Sequence, residues 1–444
     1  MSRALGWALV SVCSIWLQSA AALAEPEAAP PPPAAAPEPA SADVQLLSED
    51  ELSALGLDSS KPALDTSLIL SGFADFGFST LFAPENSFWR ASGTAPARST
   101  FFVGNLNIYL SKQLTETLST MIEVRFGFLP NGSTTTGFGF GERENTTAYD
   151  YTDFGRATRW GSIIIQRVYV EWKPDALFGV RGGQFLSPFG VWNVDHGSPV
   201  LIPIRRPWSI GVGWIPERQT GLELFGRARL SAENVVGYHL TLSNGKGPIS
   251  EYADLDANKA IGGRLYWEFQ RWGSLRLGVS GYYGRYTDST FEPQISPMLD
   301  GVTATEKVAS QYDALTWAFD LTWDLGNLHV QSEWLYTQQA YTKRGRAPRA
   351  SQAGTIVPSD VISWGGYGLI GYRFSWFGVM PFVLIEPVRG DQAYNRADVV
   401  AYQFGLNIRP VDMLVLKAVY EHVEQSSKLL DPIDLFMAQV AWAF

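Results

Sequence analysis

Apolar side chains recur at every second position through most of the chain after residue 67. In 312–324, Leu315, Trp317, Phe319, Leu321 and Trp323 share one parity, and Thr316, Ala318, Asp320 and Thr322 share the other. In 259–270, Ile261, Leu265, Trp267 and Phe269 alternate with Arg264, Tyr266, Glu268 and Gln270. In 398–409, Tyr402, Phe404, Leu406 and Ile408 oppose Gln403, Asn407 and Arg409. A strand turns successive side chains to opposite faces, so each segment has one apolar and one polar face. The alternation predicts about 16 strands. They cover 68–78, 101–112, 117–128, 161–173, 178–187, 219–230, 234–243, 259–270, 274–285, 312–324, 328–338, 361–374, 378–388, 398–409, 413–424 and 434–444. Most are about 10 to 13 residues long, enough for a tilted strand to cross a bilayer. Segment 378–388 is ambiguous, because Pro381 and Pro387 cannot donate to a ladder.

The links alternate too. Gln113–Glu116, Pro174–Leu177, Ser231–Glu233, Arg271–Gly273, Leu325–Asn327, Ser375–Phe377 and Pro410–Asp412 are tight. Between them lie polar, Gly/Pro/Ser-rich loops, among them 129–160, 188–218, 286–311 and 339–360. Short turns at one end and long loops at the other define an up-and-down membrane barrel, with short periplasmic turns and long extracellular loops. The expected fold is therefore all-β: a membrane-spanning antiparallel β-barrel over 67–444. An even strand count leaves both termini in the periplasm. Aromatics near segment ends (Trp172, Trp267, Trp323, Tyr372, Trp442) suit an interfacial girdle.

The start of the chain bears on compartment. Arg3, an apolar run from Ala4 to Leu17, and Ala22-Leu23-Ala24 make the three-part layout of a secretory signal peptide over 1–24. Cys13, the single cysteine, lies inside that run, so the expected mature chain has no disulfide. Residues 25–43 are nearly all Pro, Ala and Glu and read as an extended periplasmic spacer. In 44–66, Ser48 and Glu51 have the form of a capping box, and Leu52 and Leu55 recur at helical spacing. A short helix there could plug a barrel, bind a partner, or do neither.

Composition narrows the choice. Aromatics make up 13% of the chain, with 16 Trp, and the net charge is -10. After the first segment no run approaches the length of a transmembrane helix. The acidic balance argues against a nucleic-acid partner. The four histidines, His196, His239, His329 and His422, show no metal spacing, and there is no Gly-x-Ser-x-Gly elbow. His329 and Glu333 share a strand face but stand roughly 13 Å apart, too far for a dyad. No enzyme, cofactor or metal site is expected.

Charges on the non-lipid parity are numerous. A lipid-facing Arg or Lys at mid-bilayer would cost about 2–4 kcal/mol, so these charges must face water or each other. The pore-lining candidates on strands are Arg125, Arg167, Arg181, Arg227, Arg229, Arg264, Arg276, Glu333, Arg373 and Arg409. Basic residues exceed acidic ones on this face. Two readings stand: a lumen with mild anion preference, or a ladder of neutralising pairs that selects little.

Two stretches carry a resemblance. The terminal strand 434–444 sets Phe436, Val440, Trp442 and Phe444 on one face, with Leu435, Met437, Gln439 and Ala441 on the other. It resembles the last strand of Gram-negative outer-membrane barrels, where the final Phe is part of the signal read by the barrel-assembly machinery; the resemblance implies that role for Phe444. Gly182 to Pro207, with Gly183-Gln184-Phe185-Leu186-Ser187-Pro188-Phe189-Gly190, resembles the strand-and-loop of Gram-negative porins of the phosphate-selective-porin-like group. In porins generally the third loop folds inward. On that resemblance Asp195, His196, Arg205 and Arg206 are constriction candidates; otherwise they belong to a solvated outer loop. No dense lysine cluster accompanies them, so phosphate specificity does not follow.

The reading these features support is an outer-membrane porin passing small hydrophilic solutes or ions by passive diffusion. Its partners would be outer-membrane lipid, the assembly machinery and, as family expectation, two further copies in a homotrimer. The alternative is a non-conducting surface barrel that acts as an adhesin or structural protein through its long loops. Tyr149 to Trp160 would then be a candidate contact surface.

Overall fold

The computed structural model describes residues 67–82, 99–128, 160–211, 213–246, 258–295, 302–340, 360–389, 398–426 and 432–444. The expected signal peptide, the spacer, the segment 44–66 and the surface at 149–160 lie outside the described residues, apart from the backbone of Trp160.

Sixteen strands follow in order: β1 (Leu68–Phe82), β2 (Thr100–Gln113), β3 (Leu118–Phe128), β4 (Trp160–Trp172), β5 (Gly179–Leu186), β6 (Arg218–Arg229), β7 (Asn234–Ser243), β8 (Ala260–Phe269), β9 (Ser274–Ile295), β10 (Val302–Leu325), β11 (Leu328–Ala340), β12 (Asp360–Tyr372), β13 (Val379–Arg389), β14 (Val399–Val411), β15 (Leu414–Gln425) and β16 (Ile433–Ala443). Each pairs antiparallel with its sequence neighbours, and β1 pairs with β16 to close the barrel. At the seam Phe444 N–H donates to Gly72 O (2.9 Å) and Gly72 N–H donates to Phe444 O (2.8 Å). Closure leaves no open edge in the hydrocarbon layer, where unpaired peptide groups are costly.

The alternation maps onto the two faces. Trp317, Phe319, Leu265, Phe404 and Leu406 are exposed on the outer surface, while Thr316, Asp320, Arg264, Gln403 and Asn407 are buried inside. Phe404→Arg places a cation on the lipid face in the middle of β14. It is expected to lower barrel stability by about 2–4 kcal/mol in a urea titration from lipid vesicles. Phe404→Gln should cost less, and an equal loss for both variants would argue against the lipid-facing assignment.

The seven tight links are all present as turns. β10 and β11 are joined by Gly326-Asn327 alone, and Gly326 takes φ 57°, a conformation that glycine adopts without strain. Segment 378–388 is a strand. Pro381 and Pro387 sit on the outer face of β13, and the ladder to β12 skips Gly366 and Tyr367, opposite Pro387 and Glu386. The missing donors therefore cost few hydrogen bonds.

One expected loop is corrected. Most of 286–311 is not loop, because β9 runs on to Ile295 and β10 begins at Val302, paired residue for residue apart from a shift at Val308/Ser310. The extension lacks the strict apolar alternation of the membrane segments. The alternation that reveals the other strands therefore stops before these two strands do.

The interior is not uniformly polar. A single helical turn, α1 (Trp208–Gly211), lies in the link between β5 and β6. Phe189, Trp192, Ile202, Trp208, Ile210, Trp214 and Ile215 of this link pack with Leu335, Tyr367, Leu369, Met380, Leu384 and Val419 on the inner wall. This is a small hydrophobic core inside the barrel. Full burial of an Ile or Phe side chain is worth roughly 1.5–3 kcal/mol, so the link is folded rather than merely tethered.

Candidate functional site

The link 187–217 is tied at its base. Ser187 N–H donates to Glu217 O (3.0 Å), and Asn193 Nδ2 donates to Ser187 O (2.8 Å) and Glu217 O (3.0 Å). From there the chain enters the barrel. At Gly190 (φ 69°) the backbone meets β11, and Trp192 N–H donates to Glu333 Oε1 (2.7 Å), which also accepts from Tyr367 Oη (2.6 Å). His196 Nε2 then lies 2.9 Å from Glu123 Oε1 on β3, and Ser198 Oγ donates to Asp75 on β1.

The return path is held by β14, β15, β13 and β10 in turn. Arg409 donates to Pro199 O (2.5 Å) and Val200 O (3.1 Å), and Asn407 Nδ2 donates to Ile202 O (3.1 Å). Lys417 Nζ donates to Ser198 O (2.7 Å) and Pro203 O (3.1 Å). Arg205 is buried between Glu421 (2.5 Å) and Glu386 (3.0 Å), with its guanidinium over the Trp208 ring (4.7 Å). Ser209 N–H donates to the other Glu386 oxygen (2.9 Å), and Thr316 Oγ1 donates to Trp214 O (3.1 Å). The wall thus supplies charges and the loop supplies mostly backbone. That division suits a loop rich in Gly and Pro.

On β3 to β10 the wall is a ladder of ion pairs. Arg167 meets Glu123 (2.6 Å), Arg181 meets Glu171 (2.7 Å) and Glu223 (2.9 Å), and His239 meets Glu223 (2.8 Å). Arg227 and Arg276 share Glu268 (2.7 and 2.8 Å), and Arg264 meets Asp320 (2.5 Å). Tyrosines lie under the guanidiniums: Arg181 stands 4.4 Å from the Tyr169 ring and Arg264 5.4 Å from Tyr266. Asp195 is half-buried near this ladder. Burial pushes its carboxyl up from the usual range, against the pull of Arg276, Arg264 and His196.

A second cluster surrounds Glu217. Arg206 pairs with Glu217 (3.3 Å) and donates to Asn193 Oδ1 (2.9 Å), with its Nε lacking an acceptor among the described residues. Arg125 donates to Asn105 Oδ1 (2.9 Å), and Arg218 donates to Gln166 Oε1 (2.9 Å). Burial alone would raise the Glu217 carboxyl. The fields of Arg206, Arg218, Arg125 and His196 override it and hold the group below the usual carboxylate range. Among the described residues, three guanidiniums thus act on this one carboxylate, and Arg206 alone pairs with it directly.

The remaining candidates lie elsewhere. Arg229 is exposed at the end of β6, and Arg373 sits at the β12–β13 turn, donating to Gly378 O (3.2 Å). Sequence reasoning does not single out Asp75, Glu386, Arg218 or Glu217. Asp75 and Glu386 could be found by parity, since each is the lone inward acid of its strand. Arg218 and Glu217 lie where the loop rejoins the barrel, and no periodic pattern marks them.

No family model matches the sequence, and no curated protein matches it. Solved structures do match the fold. A loop-deletion form of OmpT, an outer-membrane protein of Vibrio cholerae, aligns at TM-score 0.51 and 10% identity over 85% of this chain and 99% of that one. The anion-selective porin from Comamonas acidovorans gives 0.51 and 10% over 85% and 99%, and OprB of Pseudomonas putida gives 0.51 and 9% over 86% and 95%. At such identities the likeness is one of fold alone, and that fold is the closed sixteen-stranded barrel of Gram-negative outer-membrane porins.

Proposed function

We propose that the protein is an outer-membrane porin that passes small hydrophilic solutes or ions by diffusion, with a mild preference for anions. The observation that carries the preference is that, among the described residues, Arg125, Arg206 and Arg218 all act on the single carboxylate of Glu217. The fold shared with the Comamonas acidovorans anion-selective porin supports the same reading. Selectivity would come from pore width and wall charge rather than from any reaction. Arg205 contributes little to it, because Glu386 and Glu421 neutralise that guanidinium. Assembly as a homotrimer, a form described for Vibrio cholerae OmpT, and recognition of Phe444 by the assembly machinery belong to this reading. The finer likeness to the phosphate-selective-porin-like group rests on residues 182–207 alone and implies no phosphate specificity.

Purified barrel in planar bilayers is expected to give stepwise, ohmic conductance, and the reversal potential in a KCl gradient should have the sign of anion preference. One unit charge at close range in a watery passage is worth on the order of 1 kcal/mol. Arg125→Ala, Arg206→Ala or Arg218→Ala should therefore each lower the anion-to-cation permeability ratio a few-fold. Cation preference in the parent protein would refute the selectivity. Silence from a correctly folded barrel would favour a surface barrel acting through its loops.

A further inference from the structure

We propose that Arg373 and Arg409 form a docking site for a small oxyanion, a phosphate or carboxylate group, on the inner wall at the end of the barrel that carries the tight links. The site is separate from the Glu217 cluster, which lies at the long-loop end, and it does not rest on conduction. Its basis is a difference in partners. The ladder guanidiniums each meet a carboxylate. Arg373, just past β12, and Arg409, on β14, form no ion pair among the described residues. Arg373 donates to Gly378 O (3.2 Å) and Met380 Sδ (3.2 Å), and Arg409 donates to Pro199 O (2.5 Å) and Val200 O (3.1 Å). A carbonyl or a thioether accepts a hydrogen bond but does not cancel a charge.

Local backbone features hold the two arginines together. Both lie on the inward parity, and both are partly exposed. They share one carbonyl: Gly378 O accepts from Arg373 Nη1 and from the backbone N–H of Arg409 (3.4 Å). The turn that presents this carbonyl is strained. Among the described residues Phe377 (φ 49°) is the one non-glycine with left-handed backbone, and Gly378 follows at φ 57°. Such strain persists where the surroundings enforce it, and it gathers at ligand sites. A β-bulge between Ile408 and Val411 also puts one extra residue into β14 beside Arg409. A bulge re-aims the side chain next to it.

The donors left over suit an anion. Arg409 spends only Nη2, so its Nε and Nη1 donate to nothing among the described residues. The same holds for Nε of Arg373. The edge of a guanidinium matches the paired oxygens of a carboxylate or phosphate. The two groups are close enough to repel each other. Lys417 on β15, buried with Ser198 O and Pro203 O as its acceptors, adds a third charge. The acids that act on these cations do so from beyond ion-pair range. Asp324 is bonded to His329 (2.6 Å), Asp75 to Asn105 (3.1 Å) and Ser198, and Asp412 lies in the β14–β15 turn. An oxyanion between the arginines relieves their repulsion. The inward face keeps lipid headgroups away, so the ligand is a free anion in the lumen.

Phosphorus NMR linewidths of inorganic phosphate test this on the full chain, held in a non-ionic detergent and Tris chloride. The parent barrel should broaden the phosphate line saturably, and succinate should compete at constant ionic strength. Arg373→Gln and Arg409→Gln should each weaken the apparent affinity at least about tenfold, the worth of one hydrogen bond to a charged group. Arg373 is bonded to no part of the link 187–217, so its variant leaves the loop in place. Arg373→Lys keeps the charge without the fork, should bind less tightly than the parent, and serves if Arg373→Gln folds poorly. Arg271→Gln removes an exposed guanidinium from another tight turn and should change nothing. Broadening that ionic strength alone removes, or that survives in every Arg373 and Arg409 variant, would overturn the site. Loss in Arg206→Ala but not in Arg373→Gln would put the anion at the Glu217 cluster, which sinks this site and leaves the porin reading standing. Broadening that depends on Arg373 in a barrel that passes no current keeps the site and removes the porin reading.

Discussion

Arg205→Ala is expected to free the inner loop while leaving the barrel closed. The guanidinium sits between two carboxylates that are themselves fully buried, Glu386 and Glu421, and stacks on Trp208. Removing it leaves two like charges without a partner, away from water. Breaking a buried ion pair from one side costs roughly 3–5 kcal/mol. The loss should fall on the loop first. The strand ladders do not depend on Arg205, whereas the loop is held by separate ties, and this one joins it to two strands at once. In detergent, limited proteolysis should cut within 187–217 in the variant and not in the parent, with the β-sheet circular dichroism unchanged. In bilayers the open-channel current should rise and become noisy. Arg205→Lys keeps the charge but not the fork that reaches both acids, and should fall between. Combining Arg205→Met with Glu386→Gln and Glu421→Gln should recover much of the loop's protection, because the stranded charges are gone. Unchanged protease resistance and current in Arg205→Ala would show that the loop does not depend on this clamp.

The clamp also shows where the sequence is legible and where it is not. Strand positions are readable because lipid imposes a rule on every outward residue, and a rule applied at every second position leaves a period. Trp317, Phe319 and Phe404 announce their face without knowledge of any partner. The same parity assigns Glu421, Glu333 and Arg409 to the inside. It does not say which inward residues meet the loop. Arg205 and Glu421 are 216 residues apart in the chain, and Ser198 and Asp75 are 123 apart. Those contacts depend on how a single link of irregular backbone is draped across the bore. Backbone carbonyls and N–H groups, identical in every residue, make many of the ties. Lys417 on Pro203 O and Glu333 on Trp192 N–H are therefore invisible to a reading of side-chain types. The Glu217 cluster is half legible: Arg125 and Arg206 are candidates by charge, but Arg218 and Glu217 gain meaning only when the loop brings them together.

Gly190→Val is expected to detach the link 187–217 from β11. Two physical demands meet at this residue. Its φ of 69° lies in the left-handed region, where a β-branched side chain is strained. A Cβ there would also lie 2.0 Å from Glu333 Oε2. That carboxylate has little room to retreat, being bonded to Trp192 N–H and to the Tyr367 hydroxyl. The backbone must therefore back away, and the buried bond to Trp192 is lost. Strain of about 1–3 kcal/mol and a lost hydrogen bond of about 0.5–1.5 kcal/mol point the same way. Gly213 separates the two contributions. It has nearly the same φ, 71°, but nothing within 4 Å of the Cβ it would carry. Gly213→Ala should thus show the conformational cost alone, about 1 kcal/mol, and Gly190→Ala should show that cost plus the collision. Thermal unfolding in detergent and protease cleavage of the loop rank the variants. Gly190→Val should be the most damaged and Gly213→Ala the least. If Gly190→Ala and Gly213→Ala are equally mild, the close approach of the loop to Glu333 is not what fixes it, and its other ties to the wall hold it instead.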